Sequence, residues 1–148
     1  MASSWEKFEE RRKSNVRTKF SAIVVELSTN PKNLGEIENA DGFASIMGPC
    51  GDTVSIWLKM EEDGIVNAGF TTDGCTSSLA SASMATIMAK GCQIDEVQKI
   101  SQQDILDALG GLPEENRHCA LLATNTLKAA VMDCLDHQEK CNGMKNAG

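Results

Sequence analysis

Six cysteines are the residues of this 148-residue chain that could carry metal or thiol chemistry. No two of them are spaced as Cys-x-x-Cys, so the sequence does not support a zinc ribbon, a thioredoxin-like redox pair or a ferredoxin cluster motif. The two nearest in sequence, Cys134 and Cys141, would lie about 10 Å apart on one helix, too far apart to bind a single metal ion. A metal site would therefore have to be assembled from distant parts of the chain.

Three of the cysteines lie where the chain is expected to leave a strand or to enter a helix. Cys50 lies in a glycine-flanked loop before a predicted strand, Cys75 lies between a strand and a helix, and Cys119 lies in the first turns of a helix. Because the positive end of a helix stabilises a thiolate, we expect lowered pKa values for Cys75 and Cys119. Three thiolates suit the iron of a cluster, or zinc.

Two neighbouring side chains could supply a fourth ligand. Asp52 follows the first of these cysteines by two residues, and His118 directly precedes the third. A carboxylate or an imidazole is a harder ligand than a thiolate, so a site completed by either would hold a cluster loosely, as a carrier requires. Each also has a simpler explanation, as a turn or cap aspartate and as a surface histidine. We interpret the other three cysteines as structural, with sulfur handling by the last as the alternative: Cys92, Cys134 and Cys141.

The elements that must position these residues are strands followed by helices. Alternating apolar residues predict a half-buried strand whose inward side chains are Val54, Ile56, Leu58 and Met60. Trp57 is then on the outer face, and the turn that follows is expected to use Gly64 in the left-handed conformation. A second strand is predicted over 65–70, and a weaker pattern over 35–47 indicates a third. Together they suggest a small antiparallel sheet.

The remaining segments have helical patterns. Helices are predicted over 4–27, 77–89, 95–100, 102–109 and from Pro113 to about His137, and Ser101 is expected to cap the fourth of them. The first is amphipathic, which favours docking on its own domain over an interfacial membrane helix. The fold class is thus α+β, with helices packed against one face of the sheet and the candidate site at sheet–helix loops. We divide the chain into an N-terminal amphipathic helix (1–29), the main domain (30–137) and a flexible C-terminal tail (138–148).

Composition excludes some classes of function. A net charge of −7 argues against a broad nucleic-acid interface, which needs a basic surface. No apolar run approaches the about 20 residues that span a bilayer, and the N-terminal residues do not have the order of a signal peptide. We therefore expect a cytoplasmic protein, bound to neither nucleic acid nor membrane, whose cysteines are reduced thiols rather than disulfides.

Several motifs, in order, resemble the IscU/NifU family of iron–sulfur cluster scaffolds. The resemblance covers about residues 30–133 and is carried by Asn30-Pro31-Lys32-Asn33-Leu34-Gly35, Gly48-Pro49-Cys50-Gly51-Asp52, Gly69-Phe70-Thr71-Thr72-Asp73-Gly74-Cys75-Thr76-Ser77, Leu109-Gly110-Gly111-Leu112-Pro113 and His118-Cys119. It implies an α+β fold with a three-stranded antiparallel sheet. The Leu-Gly-Gly-Leu-Pro stretch favours the NifU-like branch.

The resemblance also implies a non-enzymatic function. Such a scaffold accepts sulfur from a cysteine desulfurase, combines it with iron into a [2Fe–2S] cluster, and transfers the cluster to apo-proteins. The implied ligands and persulfide acceptors are Cys50, Cys75 and Cys119. Asp52 is implied as the conditional ligand that promotes release, and His118 is the other candidate for the fourth position. A homo-oligomer is plausible, because an exposed cluster needs shielding from water.

One departure from the family pattern concerns the chaperone-binding stretch. Asn116 stands where the family's chaperone-binding stretch has a lysine, which argues against recognition by an Hsp70-type chaperone.

Two alternative functions are left open. The first is a zinc-containing, SufU-like sulfur acceptor, although that branch typically has a longer insertion than the 43 residues between Cys75 and Cys119. The second, an enzyme using a reactive cysteine with His118, is weak because no third group is evident to orient the histidine.

Overall fold

Three antiparallel strands in the order β1-β2-β3 form the sheet of the computed structural model, which describes residues 20–49 and 51–147, with side chains as far as residue 137. β1 spans Gly42–Met47, β2 spans Thr53–Glu61 and β3 spans Gly64–Thr72. The inward residues of β2 alternate as predicted: Val54, Ile56 and Leu58 are fully buried and Trp57 is half-buried. The predicted α+β class and three-stranded antiparallel sheet are confirmed.

The turn between β2 and β3 differs from the prediction. Glu61 pairs with Gly64, so the loop has two residues, Glu62 and Asp63, with φ of 50° and 68°. Positive φ at both central residues is the geometry of a type I′ hairpin turn, which matches the twist of the flanking strands. The prediction that Gly64 takes the left-handed position was wrong, because Gly64 is already the first residue of β3.

The strand expected over 35–47 is shorter, because the chain first pairs with the free edge of β3 and then crosses to the opposite edge of the sheet. Leu34 forms a parallel bridge to Phe70, and the Gly35 amide donates to the Phe70 carbonyl at 2.7 Å. A Cβ on Gly69 would clash with the Gly35 carbonyl, so glycine at 69 lets the crossing chain lie against β3. β1 begins only at Gly42, on the opposite edge of the sheet.

Helices pack on the inner face of the sheet, as predicted. Their bounds are Ala22–Thr29 (α1), Thr76–Ala89 (α2), Ile94–Gln98 (α3), Gln102–Leu109 (α4) and Arg117–Ala147 (α5), with a 3₁₀ turn at Glu114–Asn116. α2 packs on β3, and α5 packs on β1 and β2. Ser101 caps α4 as predicted, in a capping box with Asp104. No helix in the described part of the chain is both long and apolar enough to cross a membrane.

The first described helix is short. Ser21 is extended and caps α1 by accepting a hydrogen bond from the Val24 amide, so one continuous helix over 4–27 was wrong; residues 1–19 lie outside the described residues. The Ser21 hydroxyl also donates to the Leu109 carbonyl, which ties the start of α1 to the end of α4. Val24 and Leu27 are buried in the core, whereas Ile23 is 42% exposed.

The last helix is longer than predicted. α5 runs to Ala147, whereas the sequence pattern predicted an end near His137. Gly143 is the one strong helix-disfavouring residue in 138–147, and a single interior glycine costs only about 1 kcal/mol. The division into 1–29, 30–137 and 138–148 stays a prediction, and α5 continues across its second boundary without a break.

Candidate metal centre

Three side chains from three different elements converge at one end of the sheet. Asp52 directly precedes β2, Cys75 is the N-terminal cap of α2, and Cys119 lies in the first turn of α5. One carboxylate oxygen and the two sulfur atoms all lie within 4.8 Å of one another. This spacing allows one metal ion to contact all three atoms. Cys50, predicted to be a further ligand, lies outside the described residues.

Backbone hydrogen bonds fix the loop that carries Asp52. The Gly48 amide donates to the Asp52 carbonyl at 2.7 Å, and the Gly51 amide donates to the Gly48 carbonyl at 3.0 Å. Gly51 has φ +86°, a left-handed conformation that only glycine adopts without strain. The Thr53 amide donates to Asp73 Oδ1 at 2.7 Å, which connects this loop to the Cys75 loop. The two loops are thus held together independently of any metal.

A buried serine lies between the two sulfur atoms. Ser77 Oγ is 3.3 Å from Cys75 Sγ and 3.3 Å from Cys119 Sγ, and it accepts a hydrogen bond from Asn116 Nδ2 at 3.1 Å. The Asn116 amide thus leaves the Ser77 proton free to be donated to one of the sulfurs. A neutral hydrogen-bond network therefore contacts both sulfur atoms, and it includes Asn116 at the position where the family resemblance implied a lysine.

The next serine connects the carboxylate to the site. Ser78 Oγ donates to Asp52 Oδ2 at 3.0 Å and lies 3.5 Å from Cys119 Sγ. Neither Ser77 nor Ser78 was among the residues predicted from the sequence. The signal that could have found them is their position in the first turn of the helix that Cys75 caps.

The two sulfur ligands differ in exposure and acidity. At Cys75, which is exposed, desolvation raises the thiol pKa, but hydrogen bonds with Ser77 and Ser78 outweigh it and leave the pKa lowered, as predicted. At Cys119, which is 2% exposed, desolvation raises the pKa, and the contacts of its sulfur with the hydroxyls of Ser77 and Ser78 do not offset that rise. The predicted lowering at Cys119 was wrong, because burial outweighs the helix terminus.

His118 lies beside the sulfur of Cys119. Its Nε2 lies 3.7 Å from Cys119 Sγ. Among the described residues, the set of ligand atoms that lie within 4.8 Å of one another contains the Asp52 oxygen and not the imidazole. Asp52 is therefore the better placed candidate for the non-sulfur ligand, and ligation by His118 stays a prediction.

The cysteines interpreted as structural have other surroundings. The Cys92 thiol donates to the Met88 carbonyl at 3.2 Å on α2. Cys134 is fully buried where α5 meets Gly42 of β1, and desolvation, with a contribution from Asp41, raises its pKa to about 12. Neither belongs to the converging set. The side chain of Cys141 lies outside the described residues.

The chain is similar to proteins of known class. The family model described as NifU-like N terminal domain matches residues 19–141. The iron-sulfur cluster assembly scaffold protein IscU 1 of Archaeoglobus fulgidus is 39% identical over 130 residues, covering 87% of this chain and 85% of that protein. The scaffold protein IscU of Escherichia coli is 37% identical over 125 residues, covering 81% and 97%.

A solved structure has the same fold. The crystal structure of a NifU-like protein (N-terminal) from Brucella abortus superposes with a TM-score of 0.63 and covers 78% of this chain and 94% of that one. Its identity of 19% means that this likeness concerns the fold alone.

Proposed function

The chain belongs to the family of NifU-like N-terminal domains and is an iron–sulfur cluster assembly scaffold, and from this premise we propose that it builds a [2Fe–2S] cluster on Cys50, Cys75 and Cys119. It is a scaffold and not a catalyst, so the cluster is its cargo. The observation that carries the proposal is the convergence of Asp52, Cys75 and Cys119 within 4.8 Å. Cys50 is two residues from Asp52, in the loop that the Gly48–Gly51 hydrogen bond closes.

The donor set suits a cluster that must leave again. Two thiolates and a carboxylate are available among the described residues, and thiolates are the usual ligands of cluster iron. The carboxylate is a harder ligand and binds cluster iron less strongly. We assign Asp52 to the position that is exchanged when the cluster is released.

Sulfur reaches the site as persulfide. A scaffold thiolate attacks the outer sulfur of the desulfurase persulfide, a new S–S bond forms on the scaffold cysteine, and the desulfurase cysteine leaves as thiolate. An external electron donor then reduces this sulfur to the sulfide of the cluster. Of the two described cysteines of the site, Cys75 is exposed and Cys119 is buried, which favours Cys75 for contact with a second protein.

The proposed partners are a cysteine desulfurase and apo-proteins that receive the cluster, in the cytoplasm, where thiols stay reduced. We do not propose an Hsp70-type chaperone as a partner. Asn116 stands at the position of the family's lysine, and its amide is used inside the site to hold Ser77.

Anaerobic reconstitution with iron, a desulfurase and cysteine tests this proposal. We expect a [2Fe–2S] absorption spectrum that is lost when Cys50, Cys75 or Cys119 is changed to Ser. Cys92→Ser is the matched control, because Cys92 lies outside the converging set, and it should keep the spectrum. Retention of the cluster in both Cys75→Ser and Cys119→Ser would contradict the proposal.

Zinc is the alternative cargo of the same site. The donor set of two thiolates and one carboxylate, with Cys50 as a fourth ligand, equally suits tetrahedral Zn²⁺. A SufU-like sulfur acceptor would then contain one zinc ion per chain and would form no cluster. A zinc assay on the reconstituted protein separates the two functions.

A further inference from the structure

The hydroxyl of Ser78 faces two candidate ligands and has a single proton to donate. Ser78 Oγ is 3.0 Å from Asp52 Oδ2 and 3.5 Å from Cys119 Sγ, and the Ser78 side chain is 1% exposed. The shorter contact is to the carboxylate, where a hydrogen bond to a charged acceptor is about twice as strong as a neutral one. The proton is therefore directed to Asp52.

We propose that Ser78 is a positioning residue for Asp52. Its hydroxyl holds Asp52 Oδ2 and so fixes the orientation of the carboxylate beside Cys75 and Cys119, where a metal ion would bind. Hydrogen bonds to ligating carboxylates fix their orientation, and their loss typically lowers metal affinity 10–100-fold. The inference rests on the proposed function, because Asp52 is the ligand that this function exchanges when the cluster is released. Ser78 of α2 would orient that ligand.

Gly74 shows that the chain makes room for this contact. A Cβ on residue 74 would lie 2.6 Å from Ser78 Oγ and 2.9 Å from Asp52 Oδ2, too close for either atom to keep its place. Gly74 does not have a positive φ, so glycine is needed here because a side chain would not fit, and not because of the backbone conformation. The glycine beside Cys75 thus permits the Ser78–Asp52 hydrogen bond.

Ser81 provides a matched control on the same helix. It is fully buried like Ser78, but its Oγ has no hydrogen-bond partner among the described residues. Ser81→Ala therefore removes the same atom from the same helix without touching the carboxylate. A general effect of serine loss on α2 would appear equally in both variants.

Cobalt binding to the reduced apo-protein is the test, since Co²⁺ occupies zinc-type sites and its visible and near-ultraviolet bands report ligands and geometry. We expect Ser78→Ala to weaken Co²⁺ affinity about 10-fold and to change the visible bands, while Ser81→Ala matches wild type. In an Asp52→Ala background, Ser78→Ala should have no further effect, because the residue acts through that carboxylate. Equal losses in both backgrounds, or no loss, would overturn the inference.

A second pair of variants covers the case in which Ser78→Ala folds poorly. Ser78→Thr and Ser78→Val have the same shape and differ only in the hydroxyl. Tighter Co²⁺ binding by the Thr variant supports the positioning role, and equal binding overturns it. If wild type binds no Co²⁺ through Cys75 and Cys119, both the inference and the metal site of the proposed function are wrong. If wild type binds Co²⁺ there and Ser78 has no effect, only the inference is wrong.

Discussion

At the scale of single residues, the site combines one exposed and one buried sulfur with a carboxylate. Cys75 has a lowered thiol pKa, because hydrogen bonds with Ser77 and Ser78 outweigh desolvation, whereas desolvation keeps the pKa of Cys119 raised. A ligand that is protonated in the apo-protein must lose its proton when iron binds. We therefore expect loading of the proposed site to release a proton from Cys119.

Asp52→Ala should slow the loss of the cluster. The variant removes the proposed hard ligand, which should exchange readily, and leaves the three proposed cysteine ligands in place. The measurement is the decay of the [2Fe–2S] absorbance of reconstituted protein after transfer to air, compared with wild type. Faster decay in the variant would show that the carboxylate stabilises the cluster instead of promoting its release.

At the scale of elements, α2 is the helix that organises the site and the core together. Its N-terminal end supplies the capping Cys75 and both site serines, and the buried residues farther along it are small. Ser83 Oγ donates to the Lys32 carbonyl and accepts from the Lys32 amide, each at 2.9 Å, which ties the chain after α1 to the helix. The serines of α2 therefore differ in role: Ser77 and Ser78 contact the site, whereas Ser83 holds the chain after α1.

Ser81→Ala and Ser83→Ala should have opposite effects on stability. The first removes a buried hydroxyl that has no partner, so the free energy of unfolding should stay the same or rise. The second leaves both Lys32 backbone groups without their partner, which should cost about 1–3 kcal/mol. Urea unfolding of the two apo-variants checks this, and an equal loss in both would mean that the Ser83 contacts contribute nothing.

Features set by local sequence signals could be predicted, whereas features set by contacts between elements could not. Ser101 was predicted as a cap because serine before a helical pattern is a local signal, and the alternation in β2 is equally local. The positive φ values at Glu62 and Asp63 follow from the register of β2 and β3, which no single segment reveals. Similarly, the raised pKa of Cys119 follows from burial by other elements, whereas the prediction used only its own helix.

At the scale of the whole molecule, α5 packs on the sheet through a close contact with β1. A Cβ on Gly42 would clash with Cys134 Sγ and the Ala130 carbonyl, so β1 lies directly against α5 there. The Phe43 amide donates to Asp133 Oδ2 at 2.9 Å beside this contact. The same long helix carries Cys119 at its start, so packing at Gly42 helps to fix the site through α5.

The buried Cys134 thiol makes stability depend on pH. Its folded pKa is raised from 9.0 to about 12, so the folded state keeps the proton where the unfolded chain loses it. Stability from this group is fully present below pH 9 and is lost as pH rises toward 12. Between pH 8 and pH 10 the loss should be about 1.4 kcal/mol.

Cys134→Ala isolates that dependence, because all other titrating groups are shared with wild type. Urea unfolding in the presence of a reductant should show wild type losing about 1.4 kcal/mol more than the variant over the same two pH units. Parallel pH profiles for the two proteins would mean that the thiol ionises in the folded state as easily as in the unfolded one.

Cluster transfer tests the central claim most directly. The reconstituted protein is mixed anaerobically with an apo-ferredoxin and an iron chelator, and the circular dichroism of the ferredoxin cluster is followed. We predict that the ferredoxin signal appears as the scaffold cluster disappears, with little iron captured by the chelator. Stoichiometric zinc in the reconstituted protein, with no ferredoxin signal while sulfur transfer from the desulfurase persists, would contradict the scaffold function.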